Sequence, residues 1–120
     1  MENVGDAADA GDGVDTSSVS IVSHRDGANG VVVLSGELDL HGGDAAEVAV
    51  AALVADGVTH VTVEAGGLSF IDSSGLGGLL AARAIVVDSG GQFRVGTVTD
   101  NVARVIDLAG VSDLLGLTGP

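Results

Sequence analysis

One short segment of the chain places an acid and two hydroxyls where they could take part in chemistry. The tripeptide Asp72-Ser73-Ser74 follows the apolar pair Phe70-Ile71 and precedes a leucine-rich stretch, which indicates a strand that ends and a helix that begins. Asp and Ser side chains accept hydrogen bonds from the free N–H groups of a helix's first turn, so any of the three could cap this helix. The hydroxyls are therefore either helix caps alone or also chemically addressable groups.

A catalytic triad of Ser73, His41 and Asp39 is one interpretation, because the loop after the second predicted strand could approach the helix start. The local sequence argues against it. Ile71 stands where the Gly-x-Ser-x-Gly nucleophile motif has its first glycine. A small serine hydrolase is therefore only a remote alternative.

The sequence contains no recognisable set of metal or cofactor ligands. His24, His41 and His60 are widely separated and lack the spacing of metal ligands, and the chain has no cysteine. The glycine-rich stretches lack the Gly-Lys-Ser/Thr ending of a phosphate-binding loop. We therefore expect neither a metal nor a cofactor.

The charge balance of the 120-residue chain is strongly acidic, with a formal net charge of -13. Such a surface repels nucleic-acid phosphates, and only two aromatic residues are present to stack on bases, so direct nucleic-acid binding is not expected. The acidity suits either simple solvation or a basic protein partner. No apolar run approaches the ~20 residues needed to cross a bilayer, and the N-terminus is acidic, so we expect a cytoplasmic protein without membrane contact.

Hydrophobic patterning divides the chain into a tail and one domain. Residues 1–18 are acidic with little apolar surface to bury, which predicts a disordered tail. Residues 19–117 form the predicted domain, and residues 118–120 end the chain. Within the domain, the patterns predict strands over residues 19–25, 31–34, 60–64 and 92–98, helices over 44–55, 74–88 and 100–109, and a helical turn over 111–115.

The predicted elements follow the order β-β-α-β-α-β-α. A hairpin followed by crossover units predicts an α/β fold with a mixed sheet of four to five strands and helices packed mainly on one face. The helix over residues 74–88 has so little polar surface that it must be buried on more than one side or present an apolar face to a partner. Gly78, Ala82 and Ile85 are the candidates for that face.

Three motifs, in this order along the chain, resemble the STAS domain family and, more narrowly, the bacterial anti-sigma factor antagonists. They are Gly36-Glu37-Leu38-Asp39, Phe70-Ile71-Asp72-Ser73-Ser74-Gly75-Leu76-Gly77 and Val105-Ile106-Asp107-Leu108-Ala109-Gly110-Val111. The resemblance runs from about Val19 to Leu117. It implies a single STAS-like domain of the α/β class.

The resemblance also implies a regulatory role. In the family the first hydroxyl after the Asp of the second motif is the phosphoacceptor, which implies Ser73, with Ser74 as a cap or a secondary acceptor. The unmodified chain would bind an anti-sigma factor, itself a serine kinase, and so free a sigma factor for transcription; phosphorylation would end the complex and a serine phosphatase would restore it. The chain would then not be an enzyme, because the kinase supplies the catalytic groups. A STAS module that binds its partner constitutively, as in scaffold or transporter-associated members, is the alternative.

The surface expected to meet the partner lies around the second motif. The family's Gly-Glu-Leu-Asp signature implies that Asp39 lies close to the phosphorylation site, while the residues alone are equally consistent with a loop carboxylate that caps a turn toward His41. Asp72 is either a cap or a recognition group, and small residues at the helix start would let a kinase approach the backbone. The full predicted surface is Asp39, Asp72, Ser73, Ser74, Gly75, Leu76, Gly78 and Ala82. A monomer or a weak dimer is expected.

Overall fold

The computed structural model describes residues 12–15 and 18–117 of the chain. Eight elements follow one another along these residues. They are strands β1 (Asp12–Asp15), β2 (Val19–Asp26) and β3 (Asn29–Leu38), helix α1 (Leu40–Ala55), strand β4 (His60–Ile71), helix α2 (Ser73–Asp88), strand β5 (Gln92–Val98) and helix α3 (Asp100–Leu108). Within the described part of the chain, no helix is long and apolar enough to cross a membrane.

The five strands form one mixed sheet in the order β1-β2-β3-β4-β5. Strands β1, β2 and β3 pair antiparallel, whereas β3, β4 and β5 run parallel to one another. Parallel neighbours require crossover connections, which helices α1 and α2 provide. This arrangement confirms the predicted α/β fold with its mixed sheet.

The hydrophobic core lies on the face of the sheet that the helices cover. Val32, Val63 and Val95 stand side by side on three neighbouring strands, and each is at most 1% exposed. Val50 of α1 and Leu79 of α2 belong to the same buried cluster. Burying each such side chain contributes roughly 1.5–3 kcal/mol to folding. Because strand residues alternate between faces, the intervening residues form the opposite face, here called the outer face of the sheet.

Strands β3 and β4 are longer than predicted and reach the functional motifs. Glycine weakens strand interiors, so the pair Gly66-Gly67 predicts that β4 ends at residue 64. In the structure the pairing with β3 shifts register around these glycines, and β4 resumes with Leu68 fully buried and ends at Ile71. Because of this irregularity, a single strand runs from His60 to Ile71, directly before the serine motif.

Helix α1 begins at Leu40, before the predicted start at Asp44. Gly42 and Gly43 disfavoured a helix at this point because glycine has a high backbone entropy to lose. Both glycines are buried in the structure, Gly42 against the side chain of Val19 and Gly43 against the backbone of α2. Close packing that only glycine permits therefore outweighs its weak helix propensity.

The prediction of a disordered tail over residues 1–18 is wrong for residues 12–15. These residues form β1, which pairs antiparallel with β2 from Asp12 opposite Ser23 to Asp15 opposite Ser20. Such a strand is held by backbone hydrogen bonds to the sheet, which form even where few side chains are apolar. Residues 1–11, 16–17 and 118–120 lie outside the described residues.

The segment after α3 packs along the edge of β5. The Leu115 N–H donates to the Val111 carbonyl at 3.1 Å, which forms the turn predicted there, and the Leu115 side chain is fully buried. The Leu115 carbonyl in turn accepts a hydrogen bond from the Val95 N–H at 2.7 Å. This contact covers part of a strand edge that would otherwise expose unpaired backbone groups.

Candidate functional site

Two parallel strands end side by side and bring two aspartates together. Leu38 at the end of β3 pairs with Ile71 at the end of β4. Asp39 and Asp72 follow directly, and the Asp72 N–H donates to the Leu38 carbonyl at 3.2 Å. The sheet register therefore places the Gly-Glu-Leu-Asp motif beside the serine motif.

Asp72 is the N-cap of α2. Its backbone is extended, with φ -107° and ψ -179°, and its Oδ1 accepts a hydrogen bond from the Gly75 N–H at 2.7 Å. Hydrogen bonds from backbone N–H groups to a capping carboxylate are short and strong because the acceptor is charged. Of the three capping candidates, the aspartate fills the role, and the helix begins at Ser73, one residue before the predicted start.

The two serine hydroxyls are left available by this cap. Ser73 and Ser74 are both exposed, and within the described residues neither hydroxyl makes a hydrogen bond. Of the two roles expected for Ser74, cap or secondary acceptor, the cap is wrong, because Asp72 already receives the N–H at the capping position. Both hydroxyls lie in the first turn of α2, near the unpaired N–H groups and the positive end of the helix dipole.

Asp39 caps helix α1 in the same way. Its Oδ1 accepts from the Gly42 N–H at 3.1 Å, and its Oδ2 accepts from the Ser18 hydroxyl at 3.2 Å. The Gly42 N–H is the main reason why the pKa of Asp39 lies below its ordinary value of 3.8; desolvation opposes this effect, while Ser18 and nearby His41 add to it. Asp39 is therefore a helix cap rather than a loop carboxylate.

Two of the three glycines at the start of α2 pack against other parts of the protein and do not expose the helix backbone. A Cβ at Gly75 would collide with the Leu38 carbonyl, and a Cβ at Gly78 would collide with the backbone of Gly43 in α1. Gly77 alone among these three has open space around its Cβ position. The prediction that Gly75 and Gly78 leave the backbone accessible to a kinase is wrong, since they allow the two helices to touch.

Half of the predicted partner surface lies inside the molecule. Leu76 is 6% exposed and Ala82 is fully buried. With Gly75 and Gly78 also buried, these four residues face the core or α1 and cannot form an exposed binding surface. The exposed residues of α2 lie on the opposite side of the helix and include Ser73, Ser74, Gly77, Ala84 and Val87.

Two apolar side chains beside the capping aspartates are exposed, and neither was predicted from the sequence as part of the site. Leu40, the first residue of α1, is 54% exposed, and Phe70, which pairs with Glu37, is 44% exposed. Alternation from the buried Ile71 could have placed Phe70 on the exposed side of β4. Leu40 gave no such signal, because its exposure depends on where α1 begins.

The structure does not assemble a catalytic triad in the described residues. The Asp39 carboxylate is engaged by Gly42 and Ser18, and His41 makes a hydrogen bond with neither Asp39 nor Ser73. Among the same residues, no group of three or more His, Asp or Glu side chains could hold a metal ion. What the site offers is an accessible hydroxyl on a capped helix.

Comparison with known proteins identifies the family of this chain. Residues 21–116 match the family model described as Mlab, STAS domain. The chain belongs to the STAS domain family. The matched range of this STAS domain contains both capping aspartates and both serines, and the resemblance seen in the sequence is confirmed.

Relatives of this STAS domain include anti-sigma factor antagonists. The anti-sigma F factor antagonist of Paenibacillus polymyxa is 33% identical over 86 residues, which cover 71% of this chain and 74% of that protein. A crystal structure of an anti-sigma factor antagonist from Mycobacterium paratuberculosis has a TM-score of 0.70 and 26% identity, over 82% of this chain and 83% of that chain. The unphosphorylated form of the anti-sigma factor antagonist SpoIIAA has a TM-score of 0.69 and 23% identity over 78% and 83% of the two chains, which shows a shared fold.

Proposed function

We propose that this STAS domain is an anti-sigma factor antagonist switched by phosphorylation. In its unmodified form it binds an anti-sigma factor, itself a serine kinase, and so releases a sigma factor for transcription. Phosphorylation of Ser73 by that kinase ends the complex, and a serine phosphatase restores it. The identity to the Paenibacillus polymyxa antagonist supports the general role.

The observation that carries the proposal is the division of roles between Asp72 and Ser73. A kinase needs an exposed hydroxyl that the fold does not use, and Asp72 supplies the helix cap through its 2.7 Å bond from Gly75. A phosphoryl group on Ser73 would add close to two negative charges beside the first N–H groups of α2, where the helix dipole favours them. The modification should therefore change the surface without unfolding the domain.

Family resemblance favours Ser73 over Ser74 as the phosphoacceptor, and both hydroxyls are exposed. The Ser74 backbone carbonyl lies 3.1 Å from the position that a Cβ at Gly43 would take, so the backbone of Ser74 lies close to α1. Ser73 precedes it at the very start of the helix. Ser74 remains a secondary acceptor in the proposal.

Four residues of the predicted partner surface are buried, so a different surface must bind the partner. We assign this role to the exposed side of helices α1 and α2. Side chains four residues apart share one side of a helix, which groups exposed residues of α1 and α2 into a largely uncharged surface. We call it the exposed helix face, and its members are Leu40, Asp44, Val48, Ala52, Gly77, Ala84 and Val87. Together with Asp39, Asp72, Ser73 and Ser74 at its end, it forms the proposed docking surface for the anti-sigma factor.

Phosphate transfer to the intact chain tests the proposal. The protein is incubated with ATP and each candidate anti-sigma kinase, and tandem mass spectrometry locates the phosphate. We expect phosphate on Ser73, its loss in Ser73→Ala, and its retention in the matched variant Ser74→Ala. Size-exclusion chromatography of the same mixture should show the complex of unmodified protein dissolving as phosphorylation proceeds.

Three outcomes would contradict this proposal. Phosphate that stays at full level in Ser73→Ala would place the switch elsewhere. A complex that survives complete phosphorylation would instead support the constitutive module. Labelling of Ser73 by a serine-reactive probe without any kinase would support the remote hydrolase alternative.

A further inference from the structure

A pocket of about 380 Å³ lies at the end of β4 that is remote from the helix caps. Strand register places the side chains of Asn29, His60 and Gln92 in one row across β3, β4 and β5, and Thr62 and Arg94 in the next row. Residues two apart on a strand project from the same face, so both rows belong to the outer face of the sheet. The pocket is thus separate from the proposed phosphorylation site.

The polar groups around this pocket are almost unused by the protein. The Thr59 hydroxyl lies 2.9 Å from His60 Nδ1. Within the described residues, the side chains of Asn29, Thr62, Gln92 and Arg94 make no hydrogen bond or ion pair. Two amides, a hydroxyl and a guanidinium therefore line the pocket with their hydrogen-bonding capacity available.

The residues that line the pocket include an arginine and no acid, in a strongly acidic chain. The whole chain has 17 acidic residues and a net charge of -13, yet no Asp or Glu is among the described residues that line this pocket. Glu64, the next outward residue of β4 after Thr62, is held by a 3.0 Å hydrogen bond from the Thr97 N–H. Within the described residues Arg94 forms no ion pair, whereas Arg25 pairs with Asp56 at 3.6 Å. The carboxylates of Glu64 and of Asp26, which stands opposite Asn29, lie outside the pocket lining.

The C-terminal turn fixes one wall of the pocket. Gly116 adopts φ 64°, and a Cβ there would come within 2.9 Å of the Arg94 Cβ. The turn itself is tied to β5 by the hydrogen bond from the Val95 N–H to the Leu115 carbonyl. The backbone at Gly116 therefore packs closely against the base of the Arg94 side chain.

We propose that this pocket binds a small oxyanion, a carboxylate or a phosphate. The planar guanidinium of Arg94 matches the two oxygens of such a group, and Asn29, Thr62 and Gln92 supply neutral hydrogen-bond donors around it. The volume falls within the range of roughly 300–1,000 Å³ that is usual for small-molecule sites. This proposal is independent of the phosphorylation of Ser73.

Titration of the isotope-labelled full chain by NMR tests this site. Inorganic phosphate and succinate are added in separate arms at constant ionic strength, and backbone amide shifts are followed. We expect saturable shifts at Thr62, Arg94 and Gly116 in at least one arm. Arg94→Gln should weaken this binding by about tenfold or more, because it removes the charge-assisted hydrogen bonds.

A matched variant separates a specific site from general charge attraction. Arg104→Gln removes the same charge from an exposed position on α3 and should leave the affinity unchanged. Saturation by phosphate alone or by succinate alone would support the site and identify its chemistry. Shifts that do not saturate in either arm would overturn the proposal, as would equal weakening by the two arginine variants. Resonances far from the pocket report whether each variant is folded.

Discussion

At the scale of single residues, Asp39 and Asp72 do the same task at the ends of neighbouring strands. Each carboxylate accepts a hydrogen bond from the N–H three residues later, at Gly42 and Gly75 respectively. N-caps of this kind typically contribute about 1 kcal/mol. Because the aspartates do the capping, a modification of the Ser73 hydroxyl would remove no capping hydrogen bond.

The depressed pKa of Asp39 predicts a pH-dependent contribution to stability. A carboxylate whose folded pKa lies below its unfolded value stabilises the protein above the unfolded pKa and loses that contribution as pH falls toward the folded pKa. Asn at position 39 can still cap the helix but cannot ionise. We therefore expect the stability gap between the wild type and Asp39→Asn to shrink as pH is lowered from about 6 to about 3.

Urea denaturation across that pH range measures this gap. Asp113→Asn is the control, because Asp113 is exposed and its side chain makes no hydrogen bond within the described residues. A gap for Asp39→Asn that stays constant with pH would show that ionisation of Asp39 is not coupled to folding.

At the scale of elements, the contact between α1 and α2 is built on glycine. Gly43 and Gly78 bring the two backbones together: a Cβ at Gly78 would collide with the Gly43 backbone, and a Cβ at Gly43 would lie 3.1 Å from the Ser74 carbonyl. This contact holds the starts of both helices, and hence both caps, at the same edge of the sheet. Thr99 adds the third helix to that edge, since its hydroxyl donates to the Leu68 carbonyl at 3.1 Å.

Alanine at two adjacent glycines should have opposite effects on stability. Gly78→Ala places a methyl group against the Gly43 backbone, which cannot rotate away, and should destabilise the protein by about 1–3 kcal/mol. Gly77→Ala is the matched variant in open space and should stabilise it by up to about 1 kcal/mol through helix propensity. Chemical denaturation measures both, and similar values for the two would refute the proposed close contact.

At the scale of the whole molecule, an acidic protein carries one helix surface with few charges. Before its final residue, α2 holds Arg83 as its only charged residue, and α1 holds Asp44 and Glu47. Val48 is 69% exposed on this surface. Exposed apolar area of this kind is typical of a protein interface, and it begins at the proposed phosphorylation site.

A charge placed on the exposed helix face should block the partner. We expect Ala84→Glu to weaken binding of the anti-sigma factor by about tenfold or more, because a carboxylate would be buried in the complex without a partner. Isothermal titration calorimetry measures the affinity. Ala28→Glu, in the exposed turn between β2 and β3, is the control that should bind normally, and equal affinity of both variants would exclude this face as the docking surface.

The sequence was sufficient for the fold class and for the family. Strand and helix periodicity predicted the mixed sheet, and the order of three motifs identified the STAS family. The reach of β4 to Ile71 was not predictable, because Gly66 and Gly67 resemble a strand end unless the neighbouring strand is known. The pairing of residues 12–15 was likewise invisible, because backbone hydrogen bonds carry no side-chain signal.

The tertiary structure alone decided what each residue of the Asp72-Ser73-Ser74-Gly75 segment does. Composition predicted capping by any of the three polar residues, and only the geometry of the helix start selected Asp72. Glycine near a functional hydroxyl is equally compatible with open access and with tight packing, and the position of α1 settled it for Gly75 and Gly78. Local sequence determines which groups are present, whereas burial and hydrogen-bond partners arise from segments distant in the chain.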